Sequence, residues 1–519
     1  MLAKLMKSRP YQIICTILLG LVLLGLPVTS LPLISQFTGS MVAPFSAIPL
    51  AILILIWFVP FLIRKGKLPK EIIPLLYFVL VALIISAGSF FLDGFYTRDR
   101  TFFDQSLRAF VTLGVGLSFY LTLSAYLDSE SILRTALRLI SLSGVWLILW
   151  SIYEIILLQV HGTVGNFPLW VLSLKAFLAY QIPGLEYLNR VSGFAYEPSW
   201  YALYFTLVLF PLWFSSVFQR KSLFKVRLWV FIIEDLLLVL GIVCFAFSFP
   251  RVGMLAFFVM LFYLGVRLVN QINHKIFDWA SKRNLFKIKN PTLLKTLISV
   301  LLILLVIAII VGATAAFIEI ASRSDYRYQL IIDQLLAGTF RNFSFSEEET
   351  ITLARRLAFY ERTIFWFSGW HVFADYPFGV GLGNAGFYMI ERFNSQGYGS
   401  FEIRNLIYQA NHIINTKSLW IRLLAETGFI GLGIYLTWLI LLWRKTNVIQ
   451  QSASPLMKVI GLAGKLFILA YLVEGFSVDS FAIPFQWVTA SLISAGGLVV
   501  LNRKREESPS TERDPVIQT

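Results

Sequence analysis

The stretch LISVLLILLVIAIIVGATAAFIEI, residues 297–320, carries one charged side chain, Glu319. As a helix it rises about 36 Å, enough to cross a bilayer core of about 30 Å. Working outward, apolar runs of similar length recur at roughly 11–30, 41–63, 71–92, 107–127, 139–160, 200–218, 228–249, 252–269, 418–443, 458–477 and 485–501. Over the 519 residues 57% are hydrophobic and only 14% charged, whereas soluble domains carry about a quarter charged residues. The sequence predicts an all-α polytopic membrane protein of about twelve transmembrane helices. The run Tyr11–Ser30 follows Lys4, Lys7 and Arg9. It reads as a retained first span and not as a signal peptide, because no small-x-small cleavage site follows it.

A net charge of +15 could point to nucleic acid, but the basic residues flank apolar spans, so the membrane accounts for most of them. Lysine and arginine resist translocation. Placing both termini in the cytoplasm puts the clusters Arg64–Lys70, Arg220–Arg227, Lys282–Lys289, Arg444–Lys445 and Arg503–Arg505 inside. The domains are then helices 1–9 over 1–320, with an outer loop at 161–199, a large helical outer loop over 321–417, helices 10–12 over 418–501 and a disordered cytoplasmic tail over 502–519. Cys15 and Cys244 fall in apolar spans, and the four histidines lack metal-ligand spacing. No metal, cofactor or disulfide framework is expected.

The outer face holds little lysine, only Lys175 and Lys417, yet many arginines. Guanidinium binds phosphate through a planar fork of donors, so an anion site is expected there; pairing with carboxylates of the same loop is the plainer reading. Ser346 and Glu349 form a capping-box pattern opening a helix that runs through Ala354, Ala358 and Phe365 toward Pro377. On such a helix Arg355 and Arg362 share a face, with Arg356 beside them.

Pro198 sets Glu197 at the start of a span, where free amides favour an anionic carboxylate; an ordinary N-cap is the alternative. The Ser248-Phe249-Pro250-Arg251 hairpin holds Arg251 at the outer boundary of two spans. There it must find an anion, carbonyls or water. Glu154, Glu234, Asp235 and Glu474 fall inside spans and are candidate buried partners. Residues 161–199, rich in Trp, Phe and Leu, should lie on or dip into the interface. The glycine run in Pro377-Phe-Gly-Val-Gly-Leu-Gly-Asn384 lacks the GK[ST] ending and preceding strand of a nucleotide loop. Arg422 and Glu426, one turn apart, should pair.

Three of these stretches, taken together, resemble the superfamily of bacterial O-antigen polymerases and O-antigen ligases. They are Arg190…Gly193…Glu197-Pro198, Pro377…Gly379-Val-Gly381-Leu-Gly383-Asn384, and Leu423…Glu426-Thr-Gly428-Phe-Ile-Gly431. One departure stands out. Eleven residues before Gly428, where ligases of this group carry a histidine, this chain has Lys417, and the nearest histidine is His412.

The resemblance implies a C-type membrane-glycosyltransferase-like architecture in the bacterial inner membrane. It implies glycosyl transfer from a polyprenyl-diphosphate-linked oligosaccharide on the outer face, without metal or cofactor. Polymerisation of repeat units into O-antigen or exopolysaccharide is favoured over ligation of finished polymer to an acceptor. A non-enzymatic transporter or flippase of the same lipid-linked saccharides is the alternative of another class. Glu197, His412 and Lys417 are the catalytic candidates, and Arg190, Arg251, Arg355, Arg356, Arg362 and Arg422 the candidate diphosphate ligands. The partners implied are the lipid-linked saccharide, membrane lipid and a chain-length regulator or flippase, with no nucleic acid.

Overall fold

A computed structural model of the protein describes residues 8–38, 40–92, 96–97, 100–182, 184, 189–224, 227–282, 291–344, 346–393, 397–409 and 413–507. The chain is all-α; the only strands among the described residues are two antiparallel pairs of two residues each. We label the main helices α1 (Arg9–Leu24), α2 (Ala47–Ile63), α3 (Ile72–Leu92), α4 (Phe102–Tyr126), α5 (Glu130–His161), α6 (Leu169–Leu178), α7 (Pro198–Gln219), α8 (Ile233–Ala246) and α9 (Arg251–Lys282). After them come α10 (Pro291–Ser322), α11 (Tyr326–Leu336), α12 (Glu347–Arg356), α13 (Tyr360–Asp375), α14 (Phe401–Tyr408), α15 (Leu419–Gln450), α16 (Pro455–Glu474) and α17 (Phe485–Glu507).

Nine of these helices, α3, α4, α5, α7, α9, α10, α15, α16 and α17, are long and apolar enough to cross a membrane. The other three expected spans correspond to α1, α2 and α8, of which α1 has 16 and α8 14 residues. α1 and α8 are too short for a perpendicular crossing as regular helix. Helices thus stand at all twelve expected positions, three of them shorter than the expected runs. A π-helical segment, Ile54–Phe58, interrupts α2 ahead of Pro60, and another, Phe205–Leu209, interrupts α7 ahead of Pro211. Each proline lacks the N–H an α-turn needs, and the wider turn accommodates it.

The helix quoted at the outset is decisive in three dimensions too. Its apolar side chains face outward, with Leu301 68%, Ile309 61% and Val311 61% exposed. A contiguous apolar face of that size needs a nonaqueous surrounding, here lipid. The interior is instead filled by α4, α5, α7, α15, α16 and α17, around fully buried Trp213, Trp438, Trp487, Tyr120 and Tyr435.

Each expected buried acid has a partner. Glu154 receives Lys175 Nζ at 2.6 Å and the Gly193 amide at 2.9 Å. Glu234 accepts from the Leu223 amide at 2.6 Å, Asp235 pairs with Arg220 at 3.1 Å, and Glu474 accepts from Thr206 Oγ1 at 2.7 Å. Leu169 and Phe177 on α6 stay exposed while Lys175 is buried between helices, and Lys175 Nζ also donates to Ser192 at 3.1 Å. The Glu154–Lys175 pair therefore ties the 190–197 segment to α5.

The 321–417 insert has a small core of its own, Ile351, Ile364, Phe365, Val372, Met389 and Ile403, completed by Phe102 of α4 and Ala425 of α15. Ser346 Oγ accepts from the Glu349 amide at 3.3 Å, as expected of an N-cap. The Glu349 side chain, however, takes the amide of Ser344 at 2.7 Å, so the capping box closes two residues further upstream. The single long helix expected after Ser346 is two. α12 ends at Arg356 and α13 starts at Tyr360, with Ala358 in the left-handed region at φ 49°. The break removes the shared face expected for Arg355 and Arg362.

Candidate functional site at the base of the insert

The break between α12 and α13 explains itself through Arg251. A helix end leaves carbonyls without partners. Arg251 donates from Nη1 to the Leu357 carbonyl at 2.6 Å and from Nη2 to the Ala358 carbonyl at 2.7 Å, and its guanidinium lies 5.4 Å from the Phe359 ring. The residue that opens α9 thus fixes the base of the insert.

Arg190 sits beside it. Its Nε and Nη2 donate to the Ser248 carbonyl at 2.9 and 2.6 Å, and Nη2 also to that of Phe249 at 3.1 Å, so it closes the hairpin ahead of Arg251. Burial pushes the Arg190 pKa down to about 10, and the group stays charged at neutral pH. Arg327, next to the N-cap of α11, chelates Asp325 with Nε at 2.9 and 3.0 Å. Burial alone would raise the Asp325 carboxyl, but the hydrogen bonds and charge of Arg327, helped by Arg190, outweigh it and hold the carboxyl below its usual range. Arg362 on α13 donates to the carbonyl and hydroxyl of Ser477 at 3.1 and 2.6 Å.

Arg190 and Arg251 each feel the charge of Arg327, and Arg251 also that of Arg362. Glu197 and Asp325 act on Arg190, and Arg362 acts on Glu474. Four guanidinium groups against three carboxylates leave a positive excess. Among the described residues, Nη1 of Arg190 and Nε of Arg251 have no hydrogen-bond partner, so donors remain for a ligand. Beside Arg251 opens a cavity of about 580 Å³ lined by Phe359, Thr363, Trp366, Trp370 and Ile421.

Glu197 occupies the N-cap position of α7, but its side chain makes no cap hydrogen bond. It accepts instead from the Ser199 hydroxyl. Its carboxylate therefore caps no backbone amide of the helix it opens.

The remaining candidates stand apart from this cluster. Arg355 donates to the Tyr360 hydroxyl at 2.9 Å and lies over that ring, and Arg356 is exposed. Arg422 pairs with Glu426 at 2.9 Å, as expected, and donates to the Asp479 carbonyl at 2.5 Å. Lys417, at φ 50°, ion-pairs with Glu402 and packs over Phe365. His412 lies outside the described residues.

The glycine run is a clasp. α15 kinks at Gly428, φ 62° and ψ −171°, a conformation essentially confined to glycine. The kink frees backbone groups to which the 377–384 loop docks: Val380 N–H to Ala425 O at 3.0 Å, Gly381 N–H to Glu426 O at 2.9 Å, and Phe429 N–H to Pro377 O at 3.1 Å. A Cβ on Gly379 would fall 2.6 Å from the Glu426 carbonyl oxygen. Leu382 N–H and the Asn384 amide complete the dock on Ser86 and Ser106.

Arg327 and Asp325 were not singled out in the sequence. Their signal is an Asp N-cap two residues ahead of Arg327, just past the end of α10.

Fold and site together define a polytopic membrane protein with a cationic cluster where a helical insert meets the transmembrane helices. Residues 236–436 match the family model described as O-antigen ligase, and this match, over less than half of the chain, supports a relation to the O-antigen polymerase and ligase superfamily. The matched region runs from α8 through the insert into α15, so it includes Arg251, Arg327, Arg362 and the clasp but not Arg190 or Glu197. No curated protein and no solved structure matches the chain. The family supports function of the O-antigen ligase and polymerase type, a membrane glycosyltransferase-like activity on lipid-linked polysaccharide.

Proposed function

We propose that the protein polymerises polyprenyl-diphosphate-linked oligosaccharide repeat units into surface polysaccharide, on the outer face of the bacterial inner membrane, with both termini cytoplasmic. The observation that carries this reading is the gathering of Arg190, Arg251, Arg327 and Arg362 at the base of the insert, with Arg190 within electrostatic reach of Glu197. The reaction breaks the bond between the donor's anomeric carbon and its diphosphate oxygen, and forms a bond from that carbon to an acceptor hydroxyl oxygen. The leaving lipid diphosphate takes the electron pair, and its charge falls among the arginines. Such fixed charges need no reorganisation during reaction. The acceptor proton goes to a base, and Glu197, bonded only by Ser199 among the described residues, fills that role. Arg190 and Arg251 are the ligands assigned to the diphosphate, and the cavity beside Arg251 receives the saccharide or first isoprene units against its aromatic wall.

Polymerase is preferred to ligase because position 417 holds a lysine engaged with Glu402, where ligases of this group place a histidine. The test is purified protein in liposomes with a single lipid-linked repeat unit. Longer lipid-linked chains support polymerisation. Products formed only with a separate acceptor mean ligation, and movement across the bilayer at constant saccharide length means transport.

A further inference from the structure

At the end of the helices remote from the insert lies a second cavity, of about 850 Å³, bounded by α7, α9, α15 and α16. Its lining includes Lys221, Arg267, His274, Lys275, Gln450 and Lys458 and, among the described residues, no carboxylate. None of its four lysine and arginine side chains has a salt bridge to a described acidic residue, although Arg220, adjacent to Lys221, is neutralised by Asp235. Arg267 is half-buried and donates to Gln450 Oε1 at 2.9 Å. That bond fixes the amide so that Gln450 Nε2, a buried donor, is left without a partner. A group of cations around one open cavity, together with an orphan donor, calls for an anion with several acceptor oxygens.

The position says where that anion comes from. Along α9, Arg267 lies about 24 Å and Lys275 about 36 Å from Arg251 at helical rise. If Arg251 marks one boundary of the hydrocarbon core, the cavity spans the headgroup level of the opposite leaflet. Basic residues at that level are attracted to anionic lipid. Ordinary flanking lysines and arginines would be solvated singly, whereas here four elements bring them around one space.

We propose that this cavity is a binding site for the phosphate headgroup of an anionic membrane lipid, in the leaflet opposite the arginine cluster. The proposal does not depend on the glycosyl-transfer reading. The test uses the delipidated full chain in neutral detergent, with native mass spectrometry to read binding. The probes are phosphatidylglycerol, phosphatidylcholine of the same acyl chains, and inorganic phosphate. Phosphatidylglycerol should bind at one saturable site, phosphatidylcholine should not, and equimolar phosphate should fail to displace the lipid.

The double variant Lys275→Gln/Lys458→Gln changes two exposed side chains, and the Lys458 carbonyl keeps its bond from Gln219. It should weaken phosphatidylglycerol binding at least tenfold. Lys70→Gln, exposed and outside the cavity, should leave it unchanged. Wild-type affinity in the double variant would overturn the proposal, as would equal binding of phosphatidylcholine. Occupancy by inorganic phosphate alone with the affinity of the lipid would assign the site to a free anion and overturn it also.

Discussion

Gly428→Ala is the sharpest test of the clasp between the glycine loop and α15. At φ 62° and ψ −171° an alanine is strained by about 1–3 kcal/mol. Its Cβ would also fall 2.4 Å from the Pro377 carbonyl oxygen and 2.4 Å from the Phe378 carbonyl carbon, both backbone atoms that cannot rotate away. Relief requires the loop to lift, which breaks the three main-chain hydrogen bonds to Ala425, Glu426 and Phe429, each worth about 0.5–1.5 kcal/mol net. Strain and loss together come to roughly 2.5–7.5 kcal/mol. The assay is thermal unfolding in detergent followed by tryptophan fluorescence, with limited proteolysis across 376–384. We expect a fall in Tm of several degrees and new cleavage in the loop. Gly433→Ala is the control, since a Cβ there meets nothing within 4 Å and alanine favours helix. A Gly428→Ala protein as stable and as protected as the control would refute the reasoning.

Three further outcomes follow from the same geometry. Lys175→Met leaves Glu154 buried and unpaired and should cost about 3–5 kcal/mol, while the double variant Lys175→Met/Glu154→Leu should recover most of it; unfolding midpoints decide. Arg251→Lys cannot bond the Leu357 and Ala358 carbonyls together as the guanidinium fork does, and should expose the 356–360 break to protease while α9 stays folded. Asp325 has its carboxyl held low, so its contribution to stability is complete above the unfolded value near about 4 and disappears as pH falls through the lower folded value. Acid unfolding of the insert, followed by proteolysis between about pH 5 and 2, should lose that component in Asp325→Asn.

The parts of the fold governed by composition were legible in the sequence. Runs such as 297–320 must be helical because lipid offers the backbone no hydrogen bonds, and nine of the expected spans are long helices. The lengths of α1, α2 and α8 were not legible, since apolar residues continue past helix ends, into a buried turn after α1 and into the exposed turn at residues 229–231 before α8. Local signals also singled out Glu197 and Arg251 by their proline and hairpin contexts, and Arg190 entered with the motif that carries the family resemblance. The helix break at Ala358 could not be read, because the partners of its freed carbonyls come from Arg251, more than a hundred residues away. The same holds for Arg362, whose partner Ser477 lies 115 residues further on. Periodicity carries no information about contacts of that range.

The central claim is that transfer occurs where the insert meets the membrane, with Glu197 as base. Glu197→Gln tests it most directly, because the side chain makes no cap bond and the substitution keeps its size and its acceptor for Ser199. With Tm unchanged, the rate of extension of a lipid-linked repeat unit by the purified variant should fall by about 10²–10⁴-fold. A rate within a few-fold of wild type would contradict the account.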